Sequence, residues 1–240
     1  GAYYMDATEV TRAQFAGFAR DTGYETVAEE NNALATWRTP GFVQRMDDPV
    51  VCISWFDAAA YCNWRSEQAG LEPCYDIEGD DSVIAVRAAT GYRLPTEAEW
   101  EFAACGRGIH DRHPWNALAA KRDYNMANFR SSDSASGDGW EWTNPVKVFP
   151  ANALGIYGLG GNVWEWCEDW YFAQAYAAMQ NRNIGNPCFD SHDATGLTRR
   201  VMRGGSFRND LDLLRCASRG SGHPLAFSNH VGFRCVRNAE

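Results

Sequence analysis

No two cysteines in this chain stand in a CxxC arrangement, no apolar run approaches the length of a bilayer, and no Pro/Ser-rich linker or charge block divides the sequence. Each absence excludes something. Without closely paired cysteines a structural zinc site has no ligand set. Eight cysteines in 240 residues are too few for a disulfide-dense scaffold. Disulfides in an exported protein and scattered buried thiols in a cytosolic one both stay open. Lacking a long apolar stretch, the chain has no transmembrane segment. Its net charge of −9, with the densest basic run confined to Arg199, Arg200 and Arg203, excludes a nucleic-acid partner, which requires a concentrated basic patch. With neither linker nor repeat, residues 1–240 form one domain. No signal peptide is seen either. The chain opens on GAYYMDATEV, a strand already under way, so its natural N-terminus is expected to have been removed.

What is present is apolar and aromatic mass, 45% and 13% of the residues, enough for a sizeable core. Its densest stretch is GLGGNVWEWCEDWY, residues 158–171, with Trp164, Trp166 and Trp170 among Glu165, Glu168 and Asp169. The V-W-E-W alternation predicts a strand with the two indoles on one face and Val163 and Glu165 on the other. Glu165 then has two readings: a carboxylate facing solvent from an edge strand, or one buried with a partner or metal.

Around that centre, Tyr3 to Val10 reads as a strand. A helix follows, capped by Thr11 with Gln14 and stopped by Gly23. PVVCISW (49–55) reads as a short strand, and Ser54 with Asp57 starts a second helix that Gly70 ends. CYDI and VIAVRA read as a hairpin about the turn Glu78-Gly79-Asp80-Asp81. Thr96 with Glu99 opens a third helix. Residues 106–149 form a long irregular stretch of the kind that is functional or metal-stapled. The end, VMRGGSF…LLRCASRG…VGFRCVR, gives three short strand-like pieces. The class is α+β.

RLPTEAEWEFAACGRG, GLGGNVWEWCEDWY, RGGSF and GFRCVR, in that order, strongly resemble the sulfatase-modifying-factor family of the formylglycine-generating enzyme. YYMDATEVTRAQFAGF and PVVCISWFDAAAYCNW match its opening strand and second helix, so the resemblance covers almost the whole chain. It implies a C-type lectin-like fold with few helices, short twisted strands and high loop content. It also implies a copper oxidase whose two thiolate ligands lie shortly after the GGS. Copper(I) takes soft thiolates, and no other residue type substitutes readily. Here Ser206 to Arg215 hold no cysteine. The resemblance therefore leaves no catalytic residues and no expected copper. Cys62, Cys235, Cys105 and Cys216 match the family's non-catalytic cysteines. The pairs it implies are Cys62 with Cys235 and Cys105 with Cys216, against four buried thiols as the plain alternative.

The resemblance implies structural calcium, a hard cation held by oxygens in loops. A first site maps onto the side chains of Asn128 and Asp138 with the carbonyls of Phe129 and Trp140. A second maps onto Gly161, Val163 and Glu165, with Gly158 standing where the family has Asn or Asp.

The window 207–230, FRNDLDLLRCASRGSGHPLAFSNH, lies where the family builds its active-site groove, and it contains no Lys, Glu, Gln, Met or Trp. Those five amino acids are the ones that codons ending in a pyrimidine cannot encode. This looks like the variable region of diversity-generating-retroelement proteins, which display varied residues on a rigid lectin-type scaffold; the plain alternative is an ordinary loop covering the core. The varied, ligand-binding positions would be Phe207, Asn209, Asp210, Leu211, Asp212, Leu213, Ser218, Gly220, Ser221, His223, Leu225, Phe227, Asn229 and His230. His223 and His230 lack a partner carboxylate in the sequence and are read as contacts rather than metal ligands. The expectation is a non-catalytic protein at the cell surface or exported, binding an unknown protein or surface ligand. Two alternatives are a formylglycine-type oxidase with a rearranged site and an inactive accessory paralogue that binds sulfatase peptides.

Overall fold

The computed structural model describes residues 2–78, 82–86, 88–106, 112–115, 126–130, 138–176 and 198–239. The turn predicted over 78–81 lies largely outside them. Each helix begins where the sequence places a cap. Thr11 caps α1 (Arg12–Thr22) through a reciprocal capping box with Gln14, and Gly23 ends it at φ 71°. Ser54 and Asp57 do the same for α3 (Trp55–Gln68), and Thr96 and Glu99 for α4 (Glu97–Ala104). A fourth box, Thr26 with Glu29, starts the single turn α2 (Val27–Glu30), which has too little apolar periodicity to be legible in the sequence.

The strands are short. β1 (Tyr3–Met5) pairs antiparallel with β8 (Val236–Asn238), and β2 (Tyr75–Glu78) pairs with β3 (Ser82–Ala85) as the predicted hairpin. The central sheet runs β6-β5-β4-β7, built from β4 (Trp164–Trp170), β5 (Arg200–Arg203), β6 (Arg219–Gly222) and β7 (Val231–Gly232). β4 pairs antiparallel with β5 and parallel with β7. Two expected strands come out differently. The first spans Tyr3–Met5 rather than reaching Val10. PVVCISW forms no strand because Cys52 turns the backbone at φ 60°, although the Val50 amide still bonds the Val10 carbonyl at 2.9 Å.

The tryptophan segment is the packing centre. Trp166 is 1% exposed and donates its indole N–H to the Ile53 carbonyl at 2.9 Å. Trp55 on α3 returns the contact by donating to the Cys167 carbonyl, also at 2.9 Å. Each buried indole removes about 200 Å² from water, on the order of 5 kcal/mol gross, and loses none of it to an unpaired N–H. Arg200 on β5 lies between Trp55 and Trp170, 4.0 and 3.8 Å from their ring centroids. α3 and β4 are thus fastened across the core, and the face bearing residues 207–230 rests on them.

Candidate functional site

Trp164 is the floor of the site. Its amide donates to the His230 carbonyl at 2.9 Å, and its ring lies against Gly220, where an added Cβ would come within 3.1 Å of it. The 207–230 segment is anchored again by the Cys52 amide on the Ser228 carbonyl and the Trp55 amide on the Pro224 carbonyl, 3.0 and 2.9 Å. It runs as a turn, a 3-10 turn at Leu211–Leu214, the edge strand β6 and a loop into β7.

The candidate positions divide sharply. Asp210, Asp212, Leu213 and His223 are exposed; Leu211, Ser221, Leu225, Phe227, Asn229 and His230 are half-buried. Two of the exposed acids are engaged, Asp210 with Arg130 at 3.3 Å and Asp212 with Arg112 at 2.6 Å. Leu211 leans on the small cluster of Trp115, Phe129 and Leu214. Ser221 accepts from the Arg199 side chain at 3.0 Å, and Asn229 donates to the Pro40 carbonyl at 2.9 Å. His230 sits 2.7 Å from the Ser228 hydroxyl, and burial together with the nearby Arg208 guanidinium holds its imidazole below the usual histidine range.

Two of the positions are buried, and two half-buried ones have their space or oxygen taken locally. Phe207 is 6% exposed, with its ring edge on Phe42 and Trp142. Ser218 is buried and donates to the Asp212 carbonyl at 3.1 Å. Gly220 has no room beside Trp164 for a larger residue. Asn209 spends its carboxamide oxygen locally, accepting from the Ser206 amide and hydroxyl at 3.0 and 2.9 Å. Conversely, Phe42 and Trp142 flank the window, with exposed Val43 next to Phe42 in the chain, although more than 60 residues separate each of them from it. Only the fold brings them there.

No cysteine lies between Ser206 and Arg215. The Sγ atoms of Cys62 and Cys235 are 3.6 Å apart in the core, and Cys216 contacts Cys105. Burial pushes the Cys62, Cys167 and Cys216 thiols well up, the opposite of a reactive thiolate. His223 and His230 join no group of three His, Cys, Asp or Glu among the described residues.

The two calcium positions differ in fit. At the first, Asp138 accepts from the amides of Phe129 and Trp140 at 2.7 and 2.9 Å. Asn128 donates to the Trp142 carbonyl at 2.7 Å and to the Asn144 side chain at 2.8 Å. The Asn128 Oδ1 is buried without a hydrogen-bond partner. A buried amide oxygen without a hydrogen-bond partner is a hard donor of the kind such a cation takes.

The second position holds an internal ion pair. Glu165 is fully buried, and both its oxygens are engaged. Arg234 donates to each at 2.7 Å, and the Trp100 indole donates to one at 2.8 Å. Gly158 supplies no oxygen from a side chain. The Glu9 carboxylate occupies the space instead, 2.5 Å from where a Cβ of residue 158 would stand. Gly161, Val163 and Glu165 thus lie against an internal ion pair, with the unpartnered Glu9 Oε2 beside it, and the Gly161 amide donates to the Gly204 carbonyl at 2.9 Å.

No helix among the described residues is long and apolar enough to cross a membrane. The chain is similar to the bovine formylglycine-generating enzyme, 30% identical over 98% of this chain, and spans 65% of that enzyme's length. It is 29% identical to a mouse protein named inactive C-alpha-formylglycine-generating enzyme 2, over 99% of this chain and 75% of the relative. Among solved structures it resembles Treponema denticola variable protein 1 with a TM-score of 0.71 and 26% identity, covering all of this chain and 85% of that one. The fold is thus shared by enzymes, a relative named inactive and a variable protein. The sulfatase-modifying factor enzyme 1-like domain model matches residues 1–239, and the chain belongs to that family.

Proposed function

We propose that this chain is a non-catalytic ligand-binding protein that displays a diversified surface, residues 207–230 without the buried Phe207 and Ser218, on a rigid lectin-type scaffold. The observation that carries it is the segment Ser206–Arg215, which holds no thiolate where the family's copper ligands lie while the frame on both sides is kept. The likeness to the Treponema variable protein supports the same reading. Exposed Asp210, Asp212, Leu213 and His223 with half-buried Leu225 and Phe227 give a mixed apolar and polar contact surface of the paratope kind. Calcium held by Asn128, Phe129, Asp138 and Trp140 would staple the neighbouring loop, and display at a cell surface or export fits the role.

The test is genomic and chemical. The reading expects a near-copy of the DNA for residues 203–236, with differences confined to template adenines and a reverse transcriptase gene nearby. Copies of the gene from close relatives that are invariant across the window would overturn it. The relative named inactive favours a second reading, an accessory paralogue that binds sulfatase peptides without oxidising them. Copper-dependent oxidation of a cysteine peptide would displace both in favour of an oxidase.

A further inference from the structure

Three aromatic rings from distant parts of the chain meet beside the 207–230 surface. Phe42 stacks on Trp142 with centroids 5.0 Å apart and planes 5° apart, and Phe207 sets its edge against both at 5.8 Å. Trp142 keeps 36% of its surface exposed and Val43 keeps 93%. The loop carrying Phe42 is held in place, not merely draped. Arg12 donates to the carbonyls of Arg38 and Gln44 at 2.8 and 3.0 Å, and Asn229 of the window donates to Pro40. The shelf is therefore rigid and continuous with the window.

At the edge of this shelf is an unbalanced positive corner. Arg208 is exposed, lies 5.5 Å over the Phe207 ring, and makes no ion pair among the described residues. It is near enough to His230 to oppose protonation of that imidazole, with no carboxylate among the described residues offsetting it. The acids of the window are taken, Asp210 by Arg130 and Asp212 by Arg112. On the far rim Arg45, 5.3 Å over Trp140, is offset in sequence by exposed Asp47 and Glu141. In a chain of net charge −9, the corner at Arg208, Ser228 and His230 is a local deficit of negative charge beside exposed apolar surface.

We propose that this corner and the shelf of Phe42, Trp142 and Phe207 together take an extended segment of a partner polypeptide carrying an Asp or Glu next to an aromatic or aliphatic side chain. The inference rests on the ligand-binding reading above and enlarges its surface by residues 40–43 and 142. The partner's carboxylate accepts a charge-assisted bond from Arg208 and one from the Ser228 hydroxyl. Its apolar neighbour covers Trp142 and Val43, the area that costs most to leave in water.

The test is selection of a random-peptide phage library on the full chain, followed by affinities for the best peptide and for its Glu→Gln or Asp→Asn counterpart. Enriched peptides are expected to join an acid to an apolar residue. Arg208→Gln should weaken the acidic peptide roughly tenfold and leave the amide counterpart unchanged, whereas Val43→Ser should weaken both. Peptides that lose binding with His223→Ala or Leu213→Ala but show no acidic preference, or ignore Arg208→Gln, overturn this inference and leave the reading of the 207–230 surface standing. A selection that enriches nothing, or only peptides indifferent to all these substitutions, overturns both.

Discussion

Arg234 and Glu165 are both fully buried, and each is satisfied chiefly by the other. Desolvating two such ions costs several kcal/mol apiece, so the pair is tolerable only because two Arg234 hydrogen bonds and that of the Trp100 indole converge on Glu165. Glu9 adds a second carboxylate 3.9 Å from the same guanidinium, with one oxygen unpartnered, and burial pushes its carboxyl above the usual range. Removing one partner should therefore hurt more than removing both. Glu165→Gln is expected to cost about 3–5 kcal/mol, while the Glu165→Met, Arg234→Met double variant loses less; urea melts of the three proteins decide it. His230 gives a pH signature. Its folded pKa lies below the unfolded 6.5, so between those values the unfolded chain binds more protons and stability rises with pH. Acidifying through 6.5 should destabilise the parent more than His230→Asn, as thermal melts at paired pH values would reveal. Gly220→Ala, pressed on Trp164, should destabilise, whereas His223→Ala should not. The burial of Glu165 was half-visible in the sequence as an acid between two tryptophans. Its partner was not, because nothing near residue 165 in the sequence points to residue 234.

Capping chemistry made the helices legible: three of the four reciprocal boxes were readable as Ser or Thr with an acid or amide three residues on. The fourth failed only because α2 is one turn long. Strand limits were less readable. Cys52 takes a left-handed conformation that its residue type does not announce, and it ends what alternation alone would extend. α3 meets the residue just before β8 at Cys62 and Cys235, whose sulfurs at 3.6 Å are near enough to bond after a small shift. Oxidising conditions should join them, with peptide mapping of the unreduced protein as the readout and a stability gain of roughly 2–4 kcal/mol. Failure to form the link under glutathione disulfide would mark them as buried thiols.

For the whole molecule, the question is what keeps a loop-rich chain rigid enough to hold the 207–230 segment in place. Indoles with satisfied N–H groups and the Arg234 cluster do this at one end of β4. At the Asn128–Asp138 end, the orphaned Asn128 oxygen leaves room for an ion. Chelation with EGTA should lower the melting midpoint and release calcium, counted per chain by elemental analysis. An unchanged midpoint would remove the structural ion. The outward 207–230 positions should tolerate substitution with little loss of stability, while Phe207, Ser218 and Gly220 should not.

Local order settled much of this protein. Caps, glycine stops, the alternation of β4 and the cysteine-free stretch after Gly205 are all short-range facts, and short-range facts are what a chain writes directly into its residues. Which side chains face out was decided by packing. Phe207 turns in because Phe42 and Trp142 wait for it. Gly220 is pressed from beneath by Trp164, and Glu165 meets Arg234. Those partners come from well over fifty residues away, and contacts at that range exist only once the chain has folded.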